Sequence, residues 1–210
     1  MDDDRPIAIV GLLGGQWFGR DAEVALRGAD VLLGNAEQLA LLPAGIGGER
    51  VELWGDPGAV LDRAVAERRR GRRAVVLAAG DPGFHGMVGL AARRLGGSGV
   101  VIHPAPSSVA LAAARLAMPW DSLTVLSVRS EPLGAVVRAV AERSPVAVLV
   151  SPRVPPQALG TALVAAGCPP RAVAVCARLA EPAEEVTRTD LRGLARGTFD
   201  PLAVVVLRAP

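Results

Sequence analysis

The sequence predicts an α/β protein made of two α/β domains, the second with a partly antiparallel sheet, and three observations carry that expectation. Short β-branched runs alternate with helical stretches along the 210 residues. The alternation starts afresh after Leu116-Ala117-Met118-Pro119-Trp120, which divides the chain into residues 1–118 and 119–210. The last three strand-like runs have one short helical stretch among them, too little to cross over between parallel neighbours.

In the first half, Ile7 to Val10, Val31 to Leu33, Arg50 to Leu53, Ala74 to Ala78 and Val100 to His103 read as strands, and helices fill the gaps. The clearest helix is Pro57 to Arg70. Val60, Leu61, Ala64 and Val65 mark its apolar face, Arg68 to Arg70 suit the negative end of the helix dipole, and Gly71 ends it. In the second half, Thr124 to Ser127 reads as a strand, Leu133 to Arg143 as a helix and Val146 to Val150 as a strand. Pro155-Pro156 opens a helix running to Ala166, because proline is tolerated in a first turn, and Gly167 caps its end. Strands follow at Ala172 to Ala177, Glu185 to Arg188 and Leu202 to Leu207, with a helix at Leu191 to Arg196.

Composition excludes several classes. Half of the residues are apolar, enough for the core of one large or two small domains. The longest apolar runs, Val146 to Val150 and Leu202 to Leu207, are strand-length, far below the roughly 20 residues that cross a bilayer, so no membrane partner is expected. The N-terminus, Met1-Asp2-Asp3-Asp4-Arg5-Pro6, is acidic where a secretory signal is basic, which points to the cytoplasm. All 23 basic residues are arginine, the formal charge is +2, and neither a basic stripe nor stacking aromatics for nucleic acid appear. Cys168 and Cys176 have a spacing that fits no zinc or redox pattern, so ordinary thiols and no metal are expected. Arginine does suit a ligand with several carboxylates, which its fork binds bidentately.

Three loops follow predicted strands and are richer in Gly, Pro or Ser than a plain connection needs; in an open α/β sheet such strand ends face the ligand crevice. Gly11-Leu12-Leu13-Gly14-Gly15-Gln16 follows the first strand. Its glycine spacing is not that of a dinucleotide fingerprint, and it reads either as a structural turn or as a ligand loop. Ala79-Gly80-Asp81-Pro82-Gly83-Phe84-His85-Gly86 can bring backbone groups close to a ligand, because glycine removes obstructing side chains. Asp81 is its sole carboxylate. It is either a cap for the following helix, with His85 a polar residue at the crevice edge, or a functional group. His103-Pro104-Ala105-Pro106-Ser107-Ser108 runs into the apolar helix Val109 to Ala114, so the serines are N-caps or hydroxyls for a ligand. No Gly-x-Ser-x-Gly elbow surrounds them, and a chain without lysine has no phosphate loop.

Taken together, Gly80-Asp81-Pro82-Gly83-Phe84-His85-Gly86, then Pro104-Ala105-Pro106-Ser107-Ser108-Val109-Ala110-Leu111-Ala112, then Leu116-Ala117-Met118-Pro119-Trp120 resemble the tetrapyrrole methylases. The resemblance covers nearly the whole chain, from Val10-Gly11 through Ala29-Asp30-Val31-Leu32-Leu33-Gly34 to Leu202-Ala203-Val204-Val205-Val206-Leu207. Within the family it is strongest to the branch that methylates carbon 5 of precorrin-6Y or cobalt-precorrin-7 in cobalamin biosynthesis. It implies a methyltransferase with S-adenosyl-L-methionine in a cleft between two domains, a precorrin or cobalt-precorrin substrate and a homodimer.

Carried over residue by residue, the resemblance implies cofactor contacts from Gly11 and Leu12, from Gly80, Asp81, Pro82 and Gly83, and from Ser107 and Ser108. It adds Leu149, Val150 and Ser151, then Arg178 and Leu179, then Leu202 and Ala203. A sulfonium cation without phosphates suits carbonyl oxygens and an apolar slot for adenine rather than an anion site. Asp81 and His85 are the acid–base candidates by location. As the chain ends at Pro210, only the carbon-5 step is expected, with a separate decarboxylating carbon-15 methyltransferase as a partner. Two stretches depart from the family pattern. The family's first loop carries an acidic residue before its Gly-Trp, whereas Gly14-Gly15-Gln16-Trp17-Phe18-Gly19 has none, and Ser127-Val128-Arg129-Ser130-Glu131 stands where the family shows Ser-Leu-His-Gly-Arg. The rival readings are a methylase of the same fold with another substrate and a relative that binds cofactor or tetrapyrrole without turnover.

Overall fold

The computed structural model describes residues 5–53, 55–84 and 86–210. Two compact units divide the chain between Ser107 and Ser108. The first holds β1 (Ile7–Leu12), α1 (Arg20–Arg27), β2 (Val31–Gly34), α2 (Ala36–Leu41), β3 (Glu49–Glu52), α3 (Pro57–Arg69), β4 (Ala74–Ala79), α4 (Val88–Leu95) and β5 (Val100–His103). Its sheet has the order β3-β2-β4-β1-β5 and every pair in it is parallel.

Successive residues of a strand face opposite sides, and here both sides are covered. Ile7 and Ile9 of β1, Val31 and Leu33 of β2, and Ala74 and Val76 of β4 pack with Val60, Leu61 and Ala64 of α3 and Ala91 of α4. Val10 and Leu12, Leu32, and Val75 and Leu77 point the other way, onto Ala22 and Leu26 of α1 and Leu39 of α2. That is why these strands read as unbroken apolar runs. Helix α2 starts on a capping box, with the Asn35 side chain accepting from the Gln38 N–H at 2.8 Å and the Gln38 side chain accepting from the Asn35 N–H at 3.0 Å.

The second unit holds α5 (Ser108–Arg115), β6 (Thr124–Ser127), α6 (Leu133–Glu142), β7 (Val146–Leu149), α7 (Pro156–Ala165), β8 (Ala172–Ala177), β9 (Glu185–Asp190), α8 (Leu191–Arg196) and β10 (Ala203–Arg208). Its sheet order is β6-β7-β10-β8-β9. The β6–β7 pair is parallel and the other three are antiparallel, which bears out the expected mixed sheet. Val146 and Val148, Val173 and Val175, and Val205 and Leu207 form one core with Val136 and Val140 of α6, Leu159 and Leu163 of α7, and Leu191 and Leu194 of α8. Helices α7 and α8 meet backbone to backbone: a Cβ on Gly160 would lie 2.6 Å from the Ala195 nitrogen.

The sequence places the domain boundary near Pro119, whereas the compact units part at Ser107 and Ser108. Helix α5 packs against β10, and that packing assigns it to the second unit. Among the described residues, no helix is long and apolar enough to cross a membrane.

Candidate functional site

In the first unit, β4, β1 and β5 are neighbours and parallel, so their C-terminal ends lie side by side. Strand β1 runs further than its β-branched residues suggest. Gly11 pairs with Ala78 and Leu12 with Ala79, so both are strand residues, and the first loop begins only at Leu13. The Gly80 N–H donates to the Leu12 carbonyl at 2.7 Å. A Cβ on Gly11 would strike the Gly80 carbonyl oxygen and stand 2.9 Å from both the Ala105 nitrogen and Pro82 Cδ. The second and third loops therefore close on Gly11 with no room for a side chain. Gly80 is the opposite case: it sits at φ 64°, and the nearest atom to a Cβ there would be the Pro106 carbonyl oxygen at 3.8 Å. The sheet end thus combines a close approach of backbones at Gly11 with open space beside Gly80.

Leu13 and Gln16 exchange backbone hydrogen bonds of 2.9 and 3.0 Å across Gly14 and Gly15, both at positive φ. Of the two readings of the first loop, this part is a tight structural turn. Asp81 is likewise a turn residue. Its Oδ1 accepts from the Gly83 N–H at 2.8 Å and its carbonyl from the Phe84 N–H at 3.1 Å. Helix α4 begins at Val88 after Met87, so Asp81 does not cap it. The second loop is closed by the Val88 N–H, which donates to the Pro82 carbonyl at 3.3 Å. His85 lies outside the described residues. Ser107 follows Pro106 on the third loop and is partly buried, and Ser108 is the first residue of α5.

In the second unit the remaining implied residues gather at one end of the other sheet. Ala203 pairs with Ala177 and Val204 with Leu149, so the start of β10 lies between the ends of β7 and β8. The Val150 N–H donates to the Ala203 carbonyl at 3.3 Å. Ser151 closes a turn with Val154, whose N–H donates to the Ser151 carbonyl at 2.9 Å. Val150, Leu179 and Ala203 are buried, whereas Leu202 is 58% exposed, an apolar side chain left at the surface of this edge. At the neighbouring end of β6 the departure from the family pattern folds back on itself. The Ser127 N–H donates to Glu131 Oε1 at 3.2 Å, and the Glu131 N–H returns to the Ser127 carbonyl at 3.0 Å.

Sequence reasoning missed the groups that hold the segment after β8. Arg178 and Ala180 both have positive φ, 50° and 65°, although neither is glycine. The Ala180 N–H donates to Glu184 Oε2 at 2.7 Å, and Arg115 at the end of α5 binds the same carboxylate through Nε and, at 3.0 Å, through Nη2. The Arg115 hydrogen bond, then the Ala180 N–H, hold the Glu184 carboxyl below its ordinary range. Arg178 donates to Glu181 at 3.1 Å and lies 3.7 Å from Asp200, whose Oδ1 accepts from the Leu202 N–H at 2.8 Å. A long sequence separation hides the Arg115–Glu184 pair, and nothing in the local sequence marks a left-handed arginine or alanine.

A cavity of about 300 Å³, bounded by Arg5, Ile7, Gly28, Arg68, Arg72 and Arg73, opens at the other, N-terminal end of β1 and β4. None of the implied site residues lines it, and Arg72 and Arg73 already pair with Glu67, Glu49 and Asp30. The implied residues of this unit lie instead toward the C-terminal ends of the strands.

Two compact units, one built on a parallel sheet and one on a mixed sheet, define a two-unit α/β protein. The chain belongs to the tetrapyrrole (corrin/porphyrin) methylases, whose pattern it matches over residues 10–195. It is 33% identical over 192 residues to the decarboxylating precorrin-6Y C(5,15)-methyltransferase of a Sinorhizobium species, covering 90% of this chain and 46% of that one. It therefore spans less than half the length of that relative. To the cobalt-precorrin-7 C(5)-methyltransferase of Salmonella typhimurium it is 32% identical over 183 residues, 87% of this chain and 88% of that one. Its fold is shared with the uroporphyrin-III C-methyl transferase from Thermus thermophilus complexed with S-adenyl homocysteine, with a TM-score of 0.73 at 22% identity over 97% of this chain and 92% of that one.

Proposed function

We propose that this chain is an S-adenosyl-L-methionine-dependent C-methyltransferase that methylates carbon 5 of a precorrin or cobalt-precorrin in cobalamin biosynthesis. The observation that carries the reading is the close approach of the Gly80 and Ala105 backbones and the Pro82 ring to Gly11 at the C-terminal end of β1, in a chain of this family. The names of the Sinorhizobium and Salmonella relatives, both carbon-5 methyltransferases, support the substrate, and the complex of the Thermus neighbour supports the cofactor.

When bound, the cofactor supplies a methyl group on a sulfonium, which a nucleophilic ring carbon takes in line as the carbon–sulfur bond breaks and S-adenosylhomocysteine is left. The chain's own contribution is to bind, orient and exclude water. Gly11, Leu12, Gly80, Pro82 and Gly83 are the proposed backbone contacts to the cofactor, and Ser107 and Ser108 the proposed hydroxyl contacts. Leu149 and Leu202 offer apolar surface, backed by buried Val150, Leu179 and Ala203, with Ser151 and Arg178 at its border. Holding carbon and methyl in near-attack geometry in a dry site lowers a barrier by up to ~7 to 11 kcal/mol, so positioning supplies most of the acceleration. Asp81 and His85 are the proposed groups for the proton lost from the methylated centre. Action in the cytoplasm as a homodimer, beside a separate decarboxylating carbon-15 methyltransferase, completes the proposal.

Mass spectrometry of precursor incubated with the protein and methyl-labelled cofactor tests this. The precursor is expected to gain one labelled methyl group. A precursor recovered unchanged, with the cofactor also unchanged, rejects the reading.

A further inference from the structure

We infer that Glu184, clamped by Arg115, is a positioning residue that sets the Arg178-Leu179-Ala180 backbone for the cofactor. The inference rests on the proposed methyltransferase reading and deepens it. The geometry of Glu184 and Arg115 stands apart from the family resemblance, which supplies the cofactor role of the segment they hold.

Left-handed conformations are strained for residues with a Cβ, and such residues persist only where the surroundings over-determine them. Arg178 and Ala180 hold φ of 50° and 65° on either side of buried Leu179. What over-determines them is on hand. Glu184 Oε2 takes the Ala180 N–H at 2.7 Å, and Glu181 takes the Arg178 guanidinium at 3.1 Å. Glu184 would itself be free to swing, being carried on the chain just before β9, were it not bound through both oxygens by Arg115.

Arg115 closes helix α5, and Ser108 opens it. One short helix therefore carries an implied cofactor hydroxyl at its first residue and the clamp for a second implied cofactor segment at its last. The same segment reaches the third one, since Arg178 Nη1 lies 3.7 Å from Asp200, whose carboxylate holds the Leu202 N–H at 2.8 Å. Glu184 thus holds the Ala180 side of the left-handed segment, while Glu181 and Asp200 engage Arg178 on the other side.

Calorimetric titration with S-adenosylhomocysteine, beside melting curves of the ligand-free proteins, tests the inference. Glu184→Ala is expected to weaken binding at least tenfold. Glu184→Gln, which keeps an oxygen for the Ala180 N–H but loses the charge facing Arg115, is expected to weaken it about threefold, and it carries the test if Glu184→Ala does not fold. Glycine takes a left-handed conformation without strain, so adding Ala180→Gly to Glu184→Ala should recover at least threefold of the lost affinity without restoring the melting temperature. Affinity within twofold of wild type in both Glu184 variants, or recovery that tracks melting temperature alone, overturns the inference and leaves the methyltransferase reading standing. Absence of binding heat with the wild-type protein overturns both.

Discussion

The Gly80 N–H donates to the Leu12 carbonyl at 2.7 Å, which joins the last residue of β1 to the first residue beyond β4. That bond brings the second loop down over Gly11, where the carbonyl oxygen of Gly80 occupies the space a side chain would need. The close approach of backbones at the proposed cofactor edge thus follows from strand pairing carried one residue beyond β4.

Gly11→Ala tests that approach. The added methyl meets the Gly80 carbonyl, the Ala105 nitrogen and Pro82 Cδ, two of them backbone atoms that cannot turn aside. Overpacking of this kind costs ~1–3 kcal/mol, and the loops must part to relieve it. Urea denaturation should show that loss, and calorimetry at least tenfold weaker S-adenosylhomocysteine binding. Unchanged stability and unchanged affinity would mean the loops are not held as described.

Asp81→Asn separates shape from charge. Asparagine can still accept from the Gly83 N–H, so the turn and the melting temperature of the ligand-free protein should hold. If the carboxylate serves the reaction, turnover falls at least tenfold, equivalent to ~1.4 kcal/mol of barrier. Steady-state kinetics beside a melting curve gives the answer. Unchanged kcat and KM would make Asp81 a turn residue alone.

The fold was largely legible because its strands obey local rules. Ala74 to Ala78 reads as a buried strand since both faces are covered, and the helix from Pro57 reads from its N1 proline and its basic last turn. The extension of β1 was not legible: Gly11 and Leu12 have poor strand character as a pair and are drawn into β1 by pairing with β4. Helix α1, Arg20-Asp21-Ala22-Glu23-Val24-Ala25-Leu26-Arg27, buries only Ala22 and Leu26, too thin a stripe to stand out. At the site, the glycine, proline and serine loops were visible because backbone conformation writes itself into those residues. The clamp on Ala180 was not, because it depends on two side chains brought together only by folding.

Glu67 was also hidden in the sequence. It lies on α3, where the sequence shows an apolar face, yet it is fully buried and accepts from Arg63 at 2.7 Å, Arg70 at 3.0 Å and Arg72 at 2.9 Å. Burial pushes its carboxyl up, but Arg63, then Arg72 and Arg70, outweigh that and hold it below the ordinary carboxylate range. Its contribution to stability is therefore complete above the ordinary value of 4.5 and is lost as pH falls through the lower folded value. Glu67→Gln should cost ~1–3 kcal/mol at neutral pH and flatten the fall in melting temperature below about pH 4.5. Asp30 and Glu184 are shifted the same way, so the acid limb should shrink rather than vanish. An acid limb as steep as wild type would show that Glu67 is not held as an ion.

Cofactor binding should be visible without substrate. With about a millimolar S-adenosylhomocysteine, a Kd of ~10 µM adds ~2.7 kcal/mol of apparent stability, which a thermal shift resolves readily. Raised melting temperature is expected. No shift at that concentration would remove the basis for a cofactor-dependent reaction.

The most direct measurement is carbon-13 NMR of the tetrapyrrole recovered after incubation with the protein and S-adenosylmethionine enriched in its methyl carbon. The result expected is a single enriched methyl group bonded to carbon 5, with S-adenosylhomocysteine formed in equal amount. An enriched methyl at another ring carbon, or none at all in a protein that binds the cofactor, would contradict carbon-5 methylation.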